Sequence, residues 1–366
     1  MSVLISRLRA WRCGASVKGS SVRCTVMQAL RLWHFCAVAL IGCSASAPSA
    51  APAPAAPQPE GPPLQLGALS DFVPAAGLRW LVAGSPSYFA RQPALAGVRE
   101  RWLTDQRWAL FAKATGVDLL RTERALVAGF ELGTLYLADA SGWVTKPEQP
   151  FIERLAGSAR VQRTHSAVWR VTGLVGSTPE ALVRLDDAVV AVAVQDPMLA
   201  RIVEYRARGR LSGVVPALRG AALSGLPPEF LEPGPLRLYA LGPFAEHTLP
   251  EGAGLLIAAT AIAAAIELEG EVLRLRLAFA GSWDSERDRE QLSNLWQSVS
   301  TAPLGRELSL DQPRSEPVVS ASAGALVLAL QLDAEQVFRG LERVGAGRLE
   351  PLLPPAAQVQ PPESPH

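Results

Sequence analysis

Cysteine is missing from everything after position 43. The four cysteines of the 366-residue chain are Cys13, Cys24, Cys36 and Cys43. A body without thiols has no disulfide framework, no thiolate metal site and no thiol nucleophile. Histidine is nearly as scarce, with His165, His247 and His366 beyond that point. No two of them stand at metal-ligand spacing, so no metal or other cofactor is expected. Lysine beyond position 43 is limited to Lys113 and Lys146, and neither completes a Ser-x-x-Lys motif. Phosphate-binding glycine loops are absent. Gly345-Ala346-Gly347 follows a predicted helix and reads as a helix stop. The nearest approach to a nucleophile elbow, Ser320-Ala321-Ser322-Ala323-Gly324, lacks its first glycine and sits in a strand-like segment.

Charge is also sparse where nucleic acid would need it. The net formal charge is +1. The first 42 residues hold Arg7, Arg9, Arg12, Lys18, Arg23 and Arg31 and no acid. Setting those six aside leaves 29 basic residues against 34 acidic ones, a net of about −5. A mildly acidic body disfavours phosphate backbones, so nucleic acid is not an expected partner. The charge-free run 252–266 is shorter than the roughly 20 residues that span a bilayer.

What is present begins near the N-terminus. Met27-Gln28-Ala29-Leu30-Arg31 is followed by an apolar run from Leu32 to Ile41, then Gly42 and Cys43. A basic start, a short apolar core and a small residue at the cut make a secretory leader. Met27 gives a more ordinary leader than Met1, since 1–26 lacks a hydrophobic period. Leu40-Ile41-Gly42-Cys43 resembles the lipobox of bacterial lipoproteins. The resemblance covers about 17 residues. It implies that 1–42 is a signal peptide, that cleavage falls before Cys43, and that Cys43 carries lipid on its sulfur and its new amine. Each buried methylene then contributes about 0.8 kcal/mol to anchoring. Ser44, rather than an aspartate, implies sorting to the outer membrane, facing the periplasm.

Residues 43–66 carry that cysteine and then a tether. Pro48, Pro52, Pro54, Pro57, Pro59, Pro62 and Pro63 are interleaved with alanine and serine. Such a stretch buries no core and favours an extended spacer of about 3.1 Å per residue.

The body reads as α+β, with antiparallel sheets and helices packed on one face. A first half spans 67–208, a packed Gly/Pro-rich joint 209–235, a second half 236–350, and 351–366 is a disordered tail. Strands are expected at 78–83, 125–130, 134–138, 167–175 and 188–194. Helices are expected at 104–115, at 147–156, after Gly176-Ser177 through Leu185, and from Pro197 to Arg208. In the second half, 236–241 echoes 78–84. Alternation through 256–268 and 273–279 predicts a long hairpin. Gly281-Ser282-Trp283-Asp284 starts a helix with Leu292, Leu295, Trp296 and Val299 inward. Ala325–Leu332 is a strand, and Asp333 caps a last helix. The halves invite a duplication, but their landmarks disagree: the opening strands are 158 positions apart (79 to 237) and the Gly-Ser turns 105 (176 to 281).

Within this body no reaction is legible. His165 and His247 are the base candidates for a hydrolase; a surface role fits Glu246-His247 better, and catalysis is disfavoured at His165, which lies before a strand. Asp186-Asp187 suits a turn better than a cation site. The tryptophans fit the core better than a ligand platform. The expected function is a non-catalytic, lipid-anchored envelope protein. Its partners would be the membrane, through lipid on Cys43, and a protein or the cell wall. A second reading is a carrier or sensor of an apolar ligand, with the 256–279 hairpin lining a cavity beneath Ile262 and Ile266. A third is a hydrolase with a non-standard site.

Overall fold

The computed structural model describes residues 62–102, 105–244, 253–283, 285–322 and 324–345. The lipobox, most of the tether, His247 and the tail lie outside the described residues. Along the first half run β1 (Leu78–Gly84), α1 (Pro86–Ala90), α2 (Ala96–Trp102), α3 (Asp105–Thr115), β2 (Ala125–Phe130), β3 (Thr134–Asp139), α4 (Glu148–Arg154), β4 (Arg160–His165), β5 (Val168–Val175), β6 (Thr178–Leu185), β7 (Val189–Val194) and α5 (Met198–Ala207). After the joint come α6 (Pro228–Leu231), β8 (Leu236–Leu241), α7 (Ala253–Ala258), β9 (Ala261–Glu269), β10 (Val272–Ala280), α8 (Ser285–Thr301), α9 (Pro303–Glu307), β11 (Val318–Ser322), β12 (Ala325–Asp333) and α10 (Ala334–Gly345).

All twelve strands join one antiparallel sheet, in the order β11-β12-β10-β9-β8-β1-β2-β3-β7-β6-β5-β4. The two strands that echo each other in sequence, β1 and β8, are neighbours at the seam between the halves. Leu81 faces Tyr239 there. Read outward from that seam, each half repeats one order: β1-β2-β3-β7 and β8-β9-β10-β12. The closing helices break the repeat, because they cover opposite faces.

That face assignment follows from register. Leu135, Ala128, Leu81, Tyr239, Ala263 and Ala278 are matched across successive strands, so they share one face. They form one core with Leu199, Ala200 and Val203 of α5 and Phe230 of α6. On the opposite face Ile262, Phe279, Leu326 and Leu328 pack against Leu292 and Leu295 of α8 and Val337 and Phe338 of α10. At the far end of that second face, α4 covers Val171, Leu182 and Val190 with Phe151 and Leu155. The helices therefore cover both faces, not one as expected. Adjacent residues of β6 and β7 enter different cores, so these strands read as nearly continuous apolar runs.

Continuous burial explains the other misreading. The helix expected after Gly176-Ser177 is β6. Gly176, at φ +63°, turns a two-residue hairpin in which Val175 faces Thr178. The alanines of β9 allow close approach, since Ala261, Ala263 and Ala265 are almost wholly buried beneath the joint. The strand expected from Leu256 begins only at Ala261, with α7 before it. Val299 of α8 is 37% exposed and does not point inward. Residues 209–235 hold the 3-10 turns Ala217–Arg219 and Ala221–Leu223 and bury Leu223, Leu226 and Phe230 in the first core. Asp333 does cap α10, its Oδ1 accepting the Gln336 amide at 3.0 Å.

Candidate functional site

The first described residues, 62–66, lie beside the C-terminal end of α5. The Gln65 amide donates to the Ala207 carbonyl at 2.7 Å. A few residues on, the Ala217 amide donates to Val73 and the Ala75 amide to Val215, at 2.8 and 3.0 Å. The first described residues are thus laced to the joint. Between them lies a cleft of about 370 Å³, with Gln65, Asp71, Arg206, Ser212 and Arg219 among its walls. Gly209 adopts φ +66°, which ends α5 and lets the Gln65 side chain lie over it.

Arg206 is the chemically distinctive group of this cleft. Its Nη2 donates to the Val214 carbonyl at 2.9 Å, and its Nη1 is buried without a hydrogen-bond partner. Burial lowers its pKa from the ordinary arginine value, and the negative charge of Asp71 opposes that shift. A partly desolvated guanidinium in a cleft wall suits the negative charge of a carboxylate. Sequence reading missed it, because an arginine in the last turn of a helix looks like a dipole partner. The groups that surround it come from positions 65 to 219 and meet only in the fold.

Elsewhere buried charge is paired within the body. Glu204, fully buried, accepts from Arg170 at 3.0 Å and from Arg208 at 3.1 Å. Arg184 reaches Glu148 at 3.0 Å and Asp187 at 2.6 Å. Asp186, at φ +50°, sits in the turn, so the acidic pair serves the β6–β7 connection. Glu180 meets Arg154, yet burial raises its pKa against the pull of that guanidinium. The Tyr239 hydroxyl donates to the Phe230 carbonyl at 2.5 Å, and burial pushes its pKa up to about 12, with Arg237 opposing.

His165 lies at the end of β4 and is 4% exposed. Its Nδ1 accepts the Ala167 amide at 3.1 Å, and its Nε2 is buried. A ring held by backbone and sealed from solvent is placed as a structural histidine. Among the described residues, no group of three or more His, Cys, Asp or Glu side chains is arranged for a metal ion. The tryptophans occupy separate places. Trp80 covers Gly129, Trp169 stacks near Arg163 and Arg184, and Trp283 donates to Phe279 at 2.8 Å. The hairpin β9–β10 packs on α8 and α10, so Leu292, Trp296 and Phe338 belong to the core beside Ile262 and Ile266. No described helix is long and apolar enough to cross a membrane.

No family model matches the chain, and no curated protein matches it. Solved structures do align. Crystal form III of TP0453 matches at 10% identity and a TM-score of 0.44, over 76% of this chain and 98% of that one. Crystal form I of TP0453 matches at 11% identity and a TM-score of 0.41, with the same coverage.

Proposed function

We propose that this chain is a lipid-anchored, non-catalytic binding protein of the bacterial cell envelope, held at the outer membrane by lipid on Cys43 and facing the periplasm. The observation that carries the reading is Leu40-Ile41-Gly42-Cys43, followed by a proline-rich spacer that ends at a body. The end of that spacer supports it. Gln65 is hydrogen-bonded to the end of α5, so a pull on the tether is borne by a helix packed on the sheet. The cleft beside it, with its underused Arg206, is the place we assign to a protein or cell-wall partner. A carboxylate from that partner would be drawn to the positive charge of Arg206 in the cleft wall.

Mass spectrometry of the N-terminal peptide, from the full chain extracted in detergent, tests the anchor. A diacylated or triacylated Cys43 is the expected result. An unmodified Cys43, or a mature terminus elsewhere, overturns the reading. The packing beneath Ile262 and Ile266 supports neither a hairpin-lined carrier cavity nor a second functional reading.

A further inference from the structure

Among the described residues the sheet is open at both edges, and the two edges differ in chemistry. At one end β4 carries Arg160 and Arg163 and a register irregularity between Arg163 and His165. Charge and bulges are the usual means of keeping an edge from pairing. At the other end β11 reads Val-Val-Ser-Ala-Ser, with no charge and an even register on β12. Four of its five residues are exposed, and Val318 is 61% exposed.

Among the described residues, one face beside β11 is open too. In the first half α5 covers the face that holds Ala181 and Ala193. In the second half the closing helix α10 lies on the opposite face. The lane left next to α6 holds a cleft of about 420 Å³, lined in part by Pro227, Pro228, Ser320, Ser322 and Val327.

We infer that β11 pairs with β11 of a second copy of this chain, across a two-fold axis at Ser320, so that the two sheets continue into one. The argument is one of register. Residues that face each other in an antiparallel pair project to the same side of the sheet. An axis perpendicular to the sheet must therefore fall at a residue and not between two. Placed at Ser320 it pairs all five positions. Val318 meets Ser322 of the second copy, Val319 meets Ala321, and Ser320 meets Ser320. The exposed Val318 then lies beside Ser322, which lines the cleft. No like charges meet, and a large side chain faces a small one at each end. An isologous contact of this kind closes on itself. On β4 an axis at Arg163 would set that arginine against itself.

Oxidative cross-linking of the full chain in detergent tests this, with the unsubstituted chain as background. Ser320→Cys is expected to give at least about tenfold more disulfide-linked dimer than Ser322→Cys, because only position 320 meets itself. Val318→Cys mixed with Ser322→Cys is expected to cross-link as a heterodimer. Equal cross-linking at 320 and 322, or none at 320, overturns the inference. It also fails if sedimentation shows a monomer at tens of micromolar, as it would if the tail or a foreign strand took the edge. Ser320→Lys and Ser320→Glu guard against a folding artefact. Each alone is expected to dimerise about fivefold more weakly, and their mixture to recover. Failure of the mixture to recover counts against the pairing.

Discussion

The Glu204 carboxylate meets the Arg170 guanidinium at 3.0 Å, joining α5 to β5 inside the first core. Arg208, one turn along the same helix, holds the other oxygen at 3.1 Å. Neither contact is a surface ion pair, because the Glu204 side chain is 1% exposed. Removing the carboxylate strands two guanidinium groups that have little access to water. Glu204→Ala is expected to cost about 3–5 kcal/mol. Urea unfolding midpoints measure it. Glu204→Leu combined with Arg170→Met should recover part of the loss, since the uncompensated charge goes with its partner. A change below about 1 kcal/mol for the single variant would show that the triad is not buried in solution.

Trp80 lies directly over Gly129 on the neighbouring strand. A Cβ at Gly129 would stand 2.0 Å from Trp80 Cε2, far inside contact distance. Gly129→Ala must therefore displace the indole of a residue that is 8% exposed. The expected loss is about 1–3 kcal/mol, accompanied by a shift in tryptophan emission. Gly157→Ala is the contrasting variant in space, since nothing lies within 4 Å of the added atom. Its cost comes from φ +87° alone. Emission should stay unchanged there.

Two glutamates should give the acid limb of the stability curve opposite slopes. Burial acts to raise the Glu267 pKa, but hydrogen bonds and charge from Arg237 and Arg276 outweigh it and hold the carboxyl below the ordinary range. Its contribution is complete above the ordinary glutamate pKa and is lost as pH falls through the lower folded value. Glu180 is raised by burial despite Arg154, so protonation favours the fold as pH falls through its raised pKa. Glu267→Gln is expected to destabilise at neutral pH and to flatten the acid loss. Glu180→Gln is expected to stabilise slightly at pH 7 and to steepen it. Thermal midpoints from pH 3 to 7 decide, and parallel curves for the two variants would contradict both assignments.

Much of the element pattern was legible locally. Gly116, at φ +73°, ends α3 where a helix stop was read, and Asp333 starts α10 as a side-chain cap. The 273–279 alternation became β10, matched residue by residue to β9. The Thr178–Leu185 segment failed for a physical reason. Pro179 and Glu180 suit a helix start, but Ala181 and Val183 were needed in one core and Leu182 in another. Only a strand delivers successive side chains to opposite sides. The free edge strand β11 was seen only as strand-like, because five small and branched residues carry little period.

By itself the sequence determined the features that need no distant partner. These are the lipobox pattern at Cys43, the proline spacer that follows, a thiol-free body, and strands and helices whose caps and turns are local. The tertiary structure decided everything that depends on long-range register. Among the described residues it made one sheet of twelve strands, set α5 and α10 on opposite faces, left β11 unpaired on one side, and gathered Gln65, Asp71 and Arg206 around one cleft. Local propensity acts over a few residues, whereas the face a strand presents is set by the neighbour it pairs with, here up to 160 positions away (Trp80 to Ala240).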